Sequence, residues 1–154
     1  MKGRKETEVE LMVSLGIVRQ LVATREAKLF DGLSLNPSQF GVLNHFTHNP
    51  KRSWTVTELA GVMEMNQPGI TKIVTVLIER GLLRSEFDKD DKRRRYLKIS
   101  AQGMSLCNDI ISSLGPDISY LFSSWKDDEL AQMQQYMTKL QQWLDEHRDD
   151  IRRS

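Results

Sequence analysis

The sequence predicts a mainly α-helical protein with a single small β-hairpin, and three observations support this fold class. Apolar residues recur at spacings of three and four along most of the chain, which is the period of a helix. An alternation of period two is confined to two short runs, at residues 83–87 and 95–99. The chain of 154 residues is 39% apolar, which is enough to bury one compact core with helical extensions.

Two helices are predicted before residue 50. The first runs from Glu6 to about Phe30 and ends at Gly32. The second begins at the run Asn-Pro-Ser-Gln of residues 36–39, which supplies an N-cap residue, a proline in the first turn and a glutamine at the third helical position. It stops around residues 48–50, where a proline interrupts the pattern.

Two further helices and a hairpin occupy the middle of the chain. Thr55 and Glu58 have the spacing of a capping box and open the third helix. A break at residues 65–68 opens the fourth helix, which ends before Gly81, a residue suited to a left-handed C-terminal cap. A polar tip at residues 88–93 separates the two strand-like runs, which together predict the hairpin. The apolar stripe of the fourth helix comprises Ile70, Ile73, Val74, Leu77 and Ile78.

Two long helices complete the chain. Ser100 is the expected cap of the first, in which Pro116 predicts a kink rather than an end. The last begins near Asp127 and carries apolar residues at alternating spacings of three and four, as in a coiled coil. This seam needs a partner surface, either the chain's own long helix or, as we expect, a second copy. Its members are Leu130, Met133, Met137, Leu140 and Leu144.

Two short helices followed by a charged hairpin are typical of a winged helix-turn-helix that binds DNA. A helix fits the major groove, while the hairpin reaches the backbone or the neighbouring minor groove. The whole chain has a net charge of +1, but residues 70–99 carry nine basic and five acidic side chains, a net charge of +4. The candidate DNA-binding residues are Asn66, Gln67, Pro68, Thr71, Lys72 and Thr75 on the fourth helix, and Lys89, Lys92, Arg93 and Arg94 on the hairpin.

From about residue 35 to residue 144, these segments resemble the MarR family of bacterial transcriptional regulators. The motifs are Thr-Glu-Leu-Ala at residues 57–60, Gln-Pro-Gly-Ile-Thr-Lys at residues 67–72 and Leu-Ile-Glu-Arg-Gly-Leu-Leu-Arg at residues 77–84. Residues 88–93 are similar to the family's wing pattern Asp-x-Arg-Asp-x-Arg, with Asp90 in place of the first arginine. The resemblance implies that Asp91 and Arg93 brace the hairpin.

The resemblance also implies a homodimer in which the N- and C-terminal helices interlock. Val9 and Val13 of the first helix would join the seam of the last helix in this interface. Relatives commonly respond to small phenolic or amphipathic effectors, held between the dimerisation helices and the DNA-binding lobe. The candidate pocket residues are Met12, Phe40, His45 and Phe46, although a cluster of Met and Phe is more often plain core.

Other features of the sequence exclude several classes of protein. No apolar run reaches the ~18 residues of a membrane span, and the charged start of the chain does not resemble a signal peptide. The single cysteine, Cys107, cannot form an intrachain disulfide, so we expect a reducing, cytoplasmic location and an inert packed thiol. His45 and His48 lack further ligands for zinc. No phosphate-binding loop or catalytic triad pattern is present, and we expect neither an enzyme nor a cofactor.

The sequence therefore predicts a dimerisation helix at residues 1–34, a winged helix-turn-helix at residues 35–100 and C-terminal dimerisation helices at residues 101–154. The expected function is that of a homodimeric, sequence-specific DNA-binding transcriptional regulator, a ligand-responsive repressor of a pseudo-palindromic operator. The alternative is a helical dimeric adaptor that uses the winged-helix scaffold for protein–protein contacts. Asp90 favours the adaptor, whereas the polar face of the fourth helix opposes it.

Overall fold

The computed structural model describes all residues from 1 to 154 and contains six helices and one two-stranded antiparallel sheet. This is the predicted fold class. None of the helices combines the length and the apolar character that crossing a membrane requires. In chain order the elements are α1 (Arg4–Leu29), α2 (Pro37–Thr47), α3 (Val56–Val62), α4 (Gln67–Glu79), β1 (Leu83–Phe87), β2 (Arg95–Ile99), α5 (Ala101–Leu121) and α6 (Asp127–Glu146).

The chain forms two compact units, residues 1–114 and residues 115–154, with the boundary inside α5. The first unit holds the hydrophobic core, in which α4 packs against α2, α3 and β1. Burial of this apolar surface is the main free-energy gain that holds the helices and the sheet together. The largest fully buried side chains are Phe46, Leu35, Leu43, Leu59, Ile70, Leu77, Leu83 and Leu97.

Side-chain caps fix where the short helices begin, as the sequence predicts. Asn36 Oδ1 accepts from the Gln39 amide at 2.8 Å, and Gln39 Oε1 accepts from the Asn36 amide at 3.1 Å. Thr55 and Glu58 form the same reciprocal pair, at 3.2 Å in both directions. Each cap satisfies backbone N–H groups that have no partner within the helix, so the starts of α2 and α3 are well defined.

The hairpin is tied to the helical core through a third stretch of extended chain. Leu83 pairs with Ile99 and Phe87 with Arg95 in an antiparallel register. Beside β2, Trp54 forms an isolated bridge with Leu97: each residue's amide donates to the other's carbonyl, at 2.9 and 2.7 Å. The connection between α2 and α3 therefore holds the second strand of the hairpin in place.

Close packing occurs where the hairpin meets the start of α5. Gly81 adopts a left-handed conformation with φ of +71°, as predicted for the residue that follows α4. Ser100 Oγ donates to the Gly81 carbonyl at 2.6 Å and accepts from the Gly103 amide at 3.0 Å, so Ser100 caps α5 as expected. A Cβ on Gly103 would lie 2.3 Å from the Leu82 carbonyl oxygen, which explains a glycine within this helix.

The first helix, like α6, buries none of its own residues. It begins two residues earlier than predicted and ends at Leu29, just before Phe30 and Leu35 enter the core. Large apolar side chains remain exposed along it; Met12 and Leu21 retain 64% and 65% of their accessible surface. In the isolated chain, α1 therefore lacks a partner for its apolar surface.

The second unit contains the last turns of α5 and the whole of α6. As predicted, α5 continues through Pro116, and α6 starts at Asp127. Phe122 and Trp125 pack edge to face between the helices, with ring centroids 5.7 Å apart. The start of α6 is closed by Glu129, whose carboxylate accepts from the Lys126 amide at 2.8 Å. Residues 150–154 form no regular element.

Candidate nucleic-acid interface

The fourth helix presents one polar face to solvent and one apolar face to the core. Ile70, Val74 and Leu77 are fully buried, as the predicted stripe requires. The opposite face carries side chains that offer hydrogen bonds, and none of them is needed for the core. All six candidate residues on this helix are exposed: Asn66, Gln67, Pro68, Thr71, Lys72 and Thr75.

Three of these polar groups already have partners within the protein. Asn66 is the N-cap of α4, and its Oδ1 accepts from the Gly69 amide at 2.8 Å. Thr75 donates its hydroxyl hydrogen to the Thr71 carbonyl, one turn earlier, at 2.8 Å. Gln67 donates from Nε2 to Thr57 Oγ1 on α3 at 2.9 Å. The unoccupied hydrogen-bonding groups on this face are therefore mainly those of Gln67, Thr71 and Lys72.

A cleft of about 640 Å³ joins the starts of α3 and α4 to the hairpin. We call it the reading cleft. Side chains from the two helices line one side of it, and three consecutive arginines of the hairpin line the other. It therefore combines amide and hydroxyl groups with concentrated positive charge, the combination that recognition of a nucleic-acid duplex requires. The lining residues are Thr55, Val56, Thr57, Glu58, Gln67, Thr71, Phe87, Arg93, Arg94 and Arg95.

The tip of the hairpin is held by carboxylates rather than by apolar contacts. Asp88 Oδ1 accepts from the amides of Asp90 and Asp91 at 2.8 and 3.4 Å, and Asp88 Oδ2 accepts from the Tyr96 hydroxyl at 3.2 Å. The hydrogen bond from the Asp90 amide is the largest cause that lowers the pKa of Asp88 below 3.8. This carboxylate stays charged near neutral pH and closes the turn.

Asp91 forms a second brace at the tip. Its Oδ1 accepts from the backbone amide and from Nε of Arg93, at 3.0 and 3.2 Å. The contact agrees with the bracing role that the resemblance implies for this pair. The Arg93 side chain is nevertheless 93% exposed, so the ion pair is strongly screened by solvent and leaves the guanidinium accessible. Lys89, Lys92 and Arg94 are exposed as well.

Six of the ten residues that line the reading cleft were not among the predicted contacts: Thr55, Val56, Thr57, Glu58, Phe87 and Arg95. Thr57 belongs to a motif of the resemblance, but sequence spacing does not show its bond to Gln67. Arg95 was assigned to a strand, and its place in the basic run at residues 92–95 is the signal that marks it. Phe87 lies four residues after buried Leu83 in the alternating run of residues 83–87, on the same face of the strand, yet it is 64% exposed because the hairpin extends beyond the core.

The predicted effector residues lie in different surroundings. Met12 lines a shallow apolar surface on α1 with Val9 and Val13. Phe46 is fully buried in the core, and so lines no open cavity. Phe40 is partly buried and contacts the Phe30 ring, with centroids 5.5 Å apart.

His45, the fourth predicted effector residue, packs edge to face on Trp54, with ring centroids 4.6 Å apart. Burial lowers the pKa of His45, and the positive charges of His48 and Arg52 lower it further, so the neutral imidazole is favoured. The Arg52 guanidinium lies 3.5 Å above the Trp54 ring in a cation–π contact. No group of three or more possible metal ligands occurs around these histidines or elsewhere.

The cysteine and the seam of α6 also have defined surroundings. Cys107 is fully buried within the core of the first unit, and burial raises the pKa of its thiol to about 11. The reactive thiolate is therefore scarce at neutral pH.

Along α6, Leu130, Met137 and Leu140 are half-buried within the single chain, whereas Met133 and Leu144 are exposed.

Known proteins match both the sequence of the region that contains α3, α4 and the hairpin tip and the fold of most of the chain. Residues 33–94 match the model of the MarR family. A MarR family protein from Bacillus stearothermophilus is 20% identical, with a TM-score of 0.77 over 93% of this chain and 99% of that one. A mutant MarR from E. coli, complexed with operator DNA, is 22% identical, with a TM-score of 0.67 over 84% and 94% of the two chains. The S. aureus MepR–DNA complex contains a chain that is 16% identical, with a TM-score of 0.71 over 86% and 97%.

No curated protein sequence matches the chain at a significant level. The solved structures, all less than 25% identical, establish a shared fold over most of the chain. Together, the helices and the hairpin give the chain the winged-helix fold of these structures. The match to the MarR family model covers α2, α3, α4, β1 and the tip of the hairpin, and it confirms the predicted resemblance.

Proposed function

We propose that this protein binds double-stranded DNA sequence-specifically, as a homodimer, and represses transcription by occluding a promoter. One observation carries the proposal: exposed Gln67 and Thr71 of α4 share the reading cleft with Arg93, Arg94 and Arg95 of the hairpin. The arrangement places hydrogen-bonding groups for bases beside charges for phosphates. The two relatives whose structures contain DNA have the same fold, and this supports the proposal.

The two sides of the reading cleft have different tasks. Side chains on the first turns of α4 face the base edges in the major groove, where each base pair shows a distinct pattern of donors and acceptors. Exposed basic residues of the hairpin contact phosphates, which fixes position but carries no sequence information. Lys72 has the reach for either a guanine or a phosphate.

A second copy of the chain is the proposed partner of the uncovered apolar surfaces. α1 buries none of its residues, and Val9 and Val13 lie on its exposed surface. α6 exposes Met133 and Leu144 of its seam. Such surfaces are costly in water, and a twofold homodimer would cover them with the same surfaces of the other copy. Two copies would also place their two α4 helices on DNA half-sites about one turn of the double helix, ~34 Å, apart.

The proposed effector is a small phenolic or amphipathic molecule. It favours a dimer in which the distance between the two α4 helices does not match the distance between the DNA half-sites. Such a ligand shifts the population away from the DNA-binding arrangement. Phe40 and His45, which are partly buried, are the accessible candidates for its contacts. Phe46 is fully buried, so an effector reaches it only by displacing core side chains. Met12 would contribute from the surface of α1.

Fluorescence anisotropy on two labelled duplexes tests the DNA-binding proposal. The first duplex is selected by the wild-type protein from a random-sequence library, and the second is a scramble of the same composition. We expect Gln67→Ala to lose roughly 1–3 kcal/mol on the selected duplex alone, because a base contact is specific. We expect the matched variant Lys92→Ala to weaken both duplexes alike and to reduce the slope of log K against log salt by about 1.

The outcomes separate the regulator from the adaptor. If the wild-type protein enriches no sequence and binds neither duplex, the DNA-binding proposal is wrong and the adaptor hypothesis replaces it. If Gln67→Ala weakens both duplexes equally, the protein binds DNA but α4 does not read the sequence.

A further inference from the structure

The starting point is the hydrogen bond between the side chains of Gln67 and Thr57. Gln67 is the first residue of α4, and its Nε2 donates to Thr57 Oγ1 at 2.9 Å. Both residues are exposed and line the reading cleft, so the bond is not a core contact. It joins the first turn of α3 to the first turn of α4, across ten residues of sequence.

The backbone on both sides of this bond is fixed by caps. The reciprocal pair of Thr55 and Glu58 holds the start of α3, and the Asn66 side chain holds the start of α4. Thr57 and Gln67 therefore face each other from two defined helix ends. In contrast, an unrestrained exposed glutamine samples many rotamers and loses that freedom when it binds.

We propose that Thr57 is a specificity-determining positioning residue that orients the Gln67 carboxamide for reading a base. This inference rests on the DNA-binding function proposed above. A primary amide has two N–H donors and one carbonyl acceptor. With one N–H bonded to Thr57, the other N–H and Oε1 remain, and these are the donor and acceptor that pair with N7 and N6 of adenine. The Gln67 side chain then loses its rotamer freedom when the protein folds, so DNA binding does not bear that entropic cost.

Thr57→Val and Thr57→Ser are the variants that test this role, on the selected and the scrambled duplexes. Valine keeps the branched shape of threonine but removes the hydroxyl, whereas serine keeps the hydroxyl. We expect Thr57→Val to lower affinity for the selected duplex by roughly 2- to 10-fold. Affinity for the scrambled duplex and the melting temperature stay at wild-type values, and Thr57→Ser restores the selected-duplex affinity.

The same substitution in a Gln67→Ala background isolates the coupling between the two side chains. If Thr57 acts only through Gln67, Thr57→Val has no further effect once the glutamine side chain is gone. An equal loss on both duplexes that persists in this background would show that Thr57 contacts a phosphate directly, and the inference would be wrong.

Three further outcomes are informative. Wild-type behaviour of Thr57→Val on both duplexes overturns the inference, as does a fall in melting temperature that Thr57→Ser does not repair. A wild-type protein that selects no sequence refutes the proposed function itself and this inference with it. That last result is visible before any variant is made, so the two failures are distinguishable.

Discussion

Phe87 has an exposure that the stability of the fold does not require. It is 64% exposed at the end of β1, while Leu83 on the same strand is buried. The ring lines the reading cleft with Gln67 and Arg94. An aromatic ring beside such polar groups offers an apolar surface to a thymine methyl group or a deoxyribose. Charged side chains do not provide such an apolar contact.

We expect Phe87→Ala to weaken binding to the selected duplex while leaving the salt dependence unchanged. An apolar contact releases no counterions, so log K falls without a change in its slope against log salt. The free energy of unfolding should change by no more than about 0.5 kcal/mol, as is usual for surface substitutions, so the melting temperature should change little. The measurement is anisotropy over a salt series together with thermal unfolding.

Phe87→Leu is the matched control, because it keeps an apolar side chain and should retain most of the affinity. A salt slope that changes in Phe87→Ala would show instead that the substitution displaces the neighbouring arginines.

At this scale, the sequence predicts which residues are exposed on α4 better than it predicts what they contact. The helical period places Gln67, Thr71 and Lys72 opposite the apolar stripe, and all three are exposed. Periodicity contains no information about a bond between helices, so the contact of Gln67 with Thr57 was not predicted. The same limit applies to Phe87, whose exposure depends on how far the hairpin extends beyond the core.

The hairpin is the element whose shape depends most on one side chain. Asp88 accepts hydrogen bonds from two backbone amides of the tip and from the Tyr96 hydroxyl. These bonds favour the charged carboxylate, and so the pKa of Asp88 is lowered below 3.8. A lowered folded-state pKa means that the brace is fully present above the unfolded-state value and is lost as the pH falls through the folded-state value.

We expect the amide proton of Asp90 to report this titration. Its NMR chemical shift should be constant near neutral pH and should move in acid with a midpoint below the ordinary pKa of an aspartate. In Asp88→Asn this component of the titration should be absent, because the amide side chain has no charge to lose. The shift of the Asp90 amide should differ from wild type even at pH 7.

A wild-type midpoint at or above the ordinary pKa of an aspartate would show that Asp88 does not brace the tip. Glu86→Gln is the control on the same hairpin, because Glu86 is exposed on β1, outside the hydrogen bonds that Asp88 forms at the tip, and should leave the Asp90 titration intact.

The elements themselves were predicted well because their ends carry local signals. The caps at Asn36 and Thr55, the glycine at position 81 and the alternation in residues 83–87 all act over a few residues. The bridge between Trp54 and Leu97 was not predicted, because it joins residues 43 positions apart in sequence. Nothing local to either residue indicates the other.

At the scale of the whole molecule, large apolar side chains of α1 and α6 remain exposed to solvent in the single chain. We expect Met133→Asp to shift the protein from dimer to monomer at micromolar concentration. A charge buried without a partner costs roughly several kcal/mol, while Met133 is exposed in the single chain, so the fold itself should tolerate the change. Light scattering coupled to size exclusion measures the mass.

Gln135→Asp is the matched control, because it adds the same charge on the opposite face of the same helix and should leave the dimer intact. A wild-type protein that is monomeric at micromolar concentration would contradict the dimer proposal directly.

The sequence also predicted a seam on α6, but it could not show how much of that seam the chain covers by itself. Leu130, Met137 and Leu140 are half-buried within the single chain, which spacing alone does not reveal. The predicted effector residues show the same limit, since Phe46 proves to be a fully buried core residue. Burial is a property of the assembled fold, not of a single helix.

The position of Leu97 in the core has a consequence for protein synthesis. A nascent chain released only to Glu79 contains α2, α3 and α4, yet it lacks Leu97, Cys107 and Ile110, which complete their core. At about 5–20 residues per second, the ribosome adds these residues within a few seconds. During that interval the core around α2, α3 and α4 is incomplete. Folding of α2, α3 and α4 is therefore a late event, completed only after the first turns of α5 have left the exit tunnel.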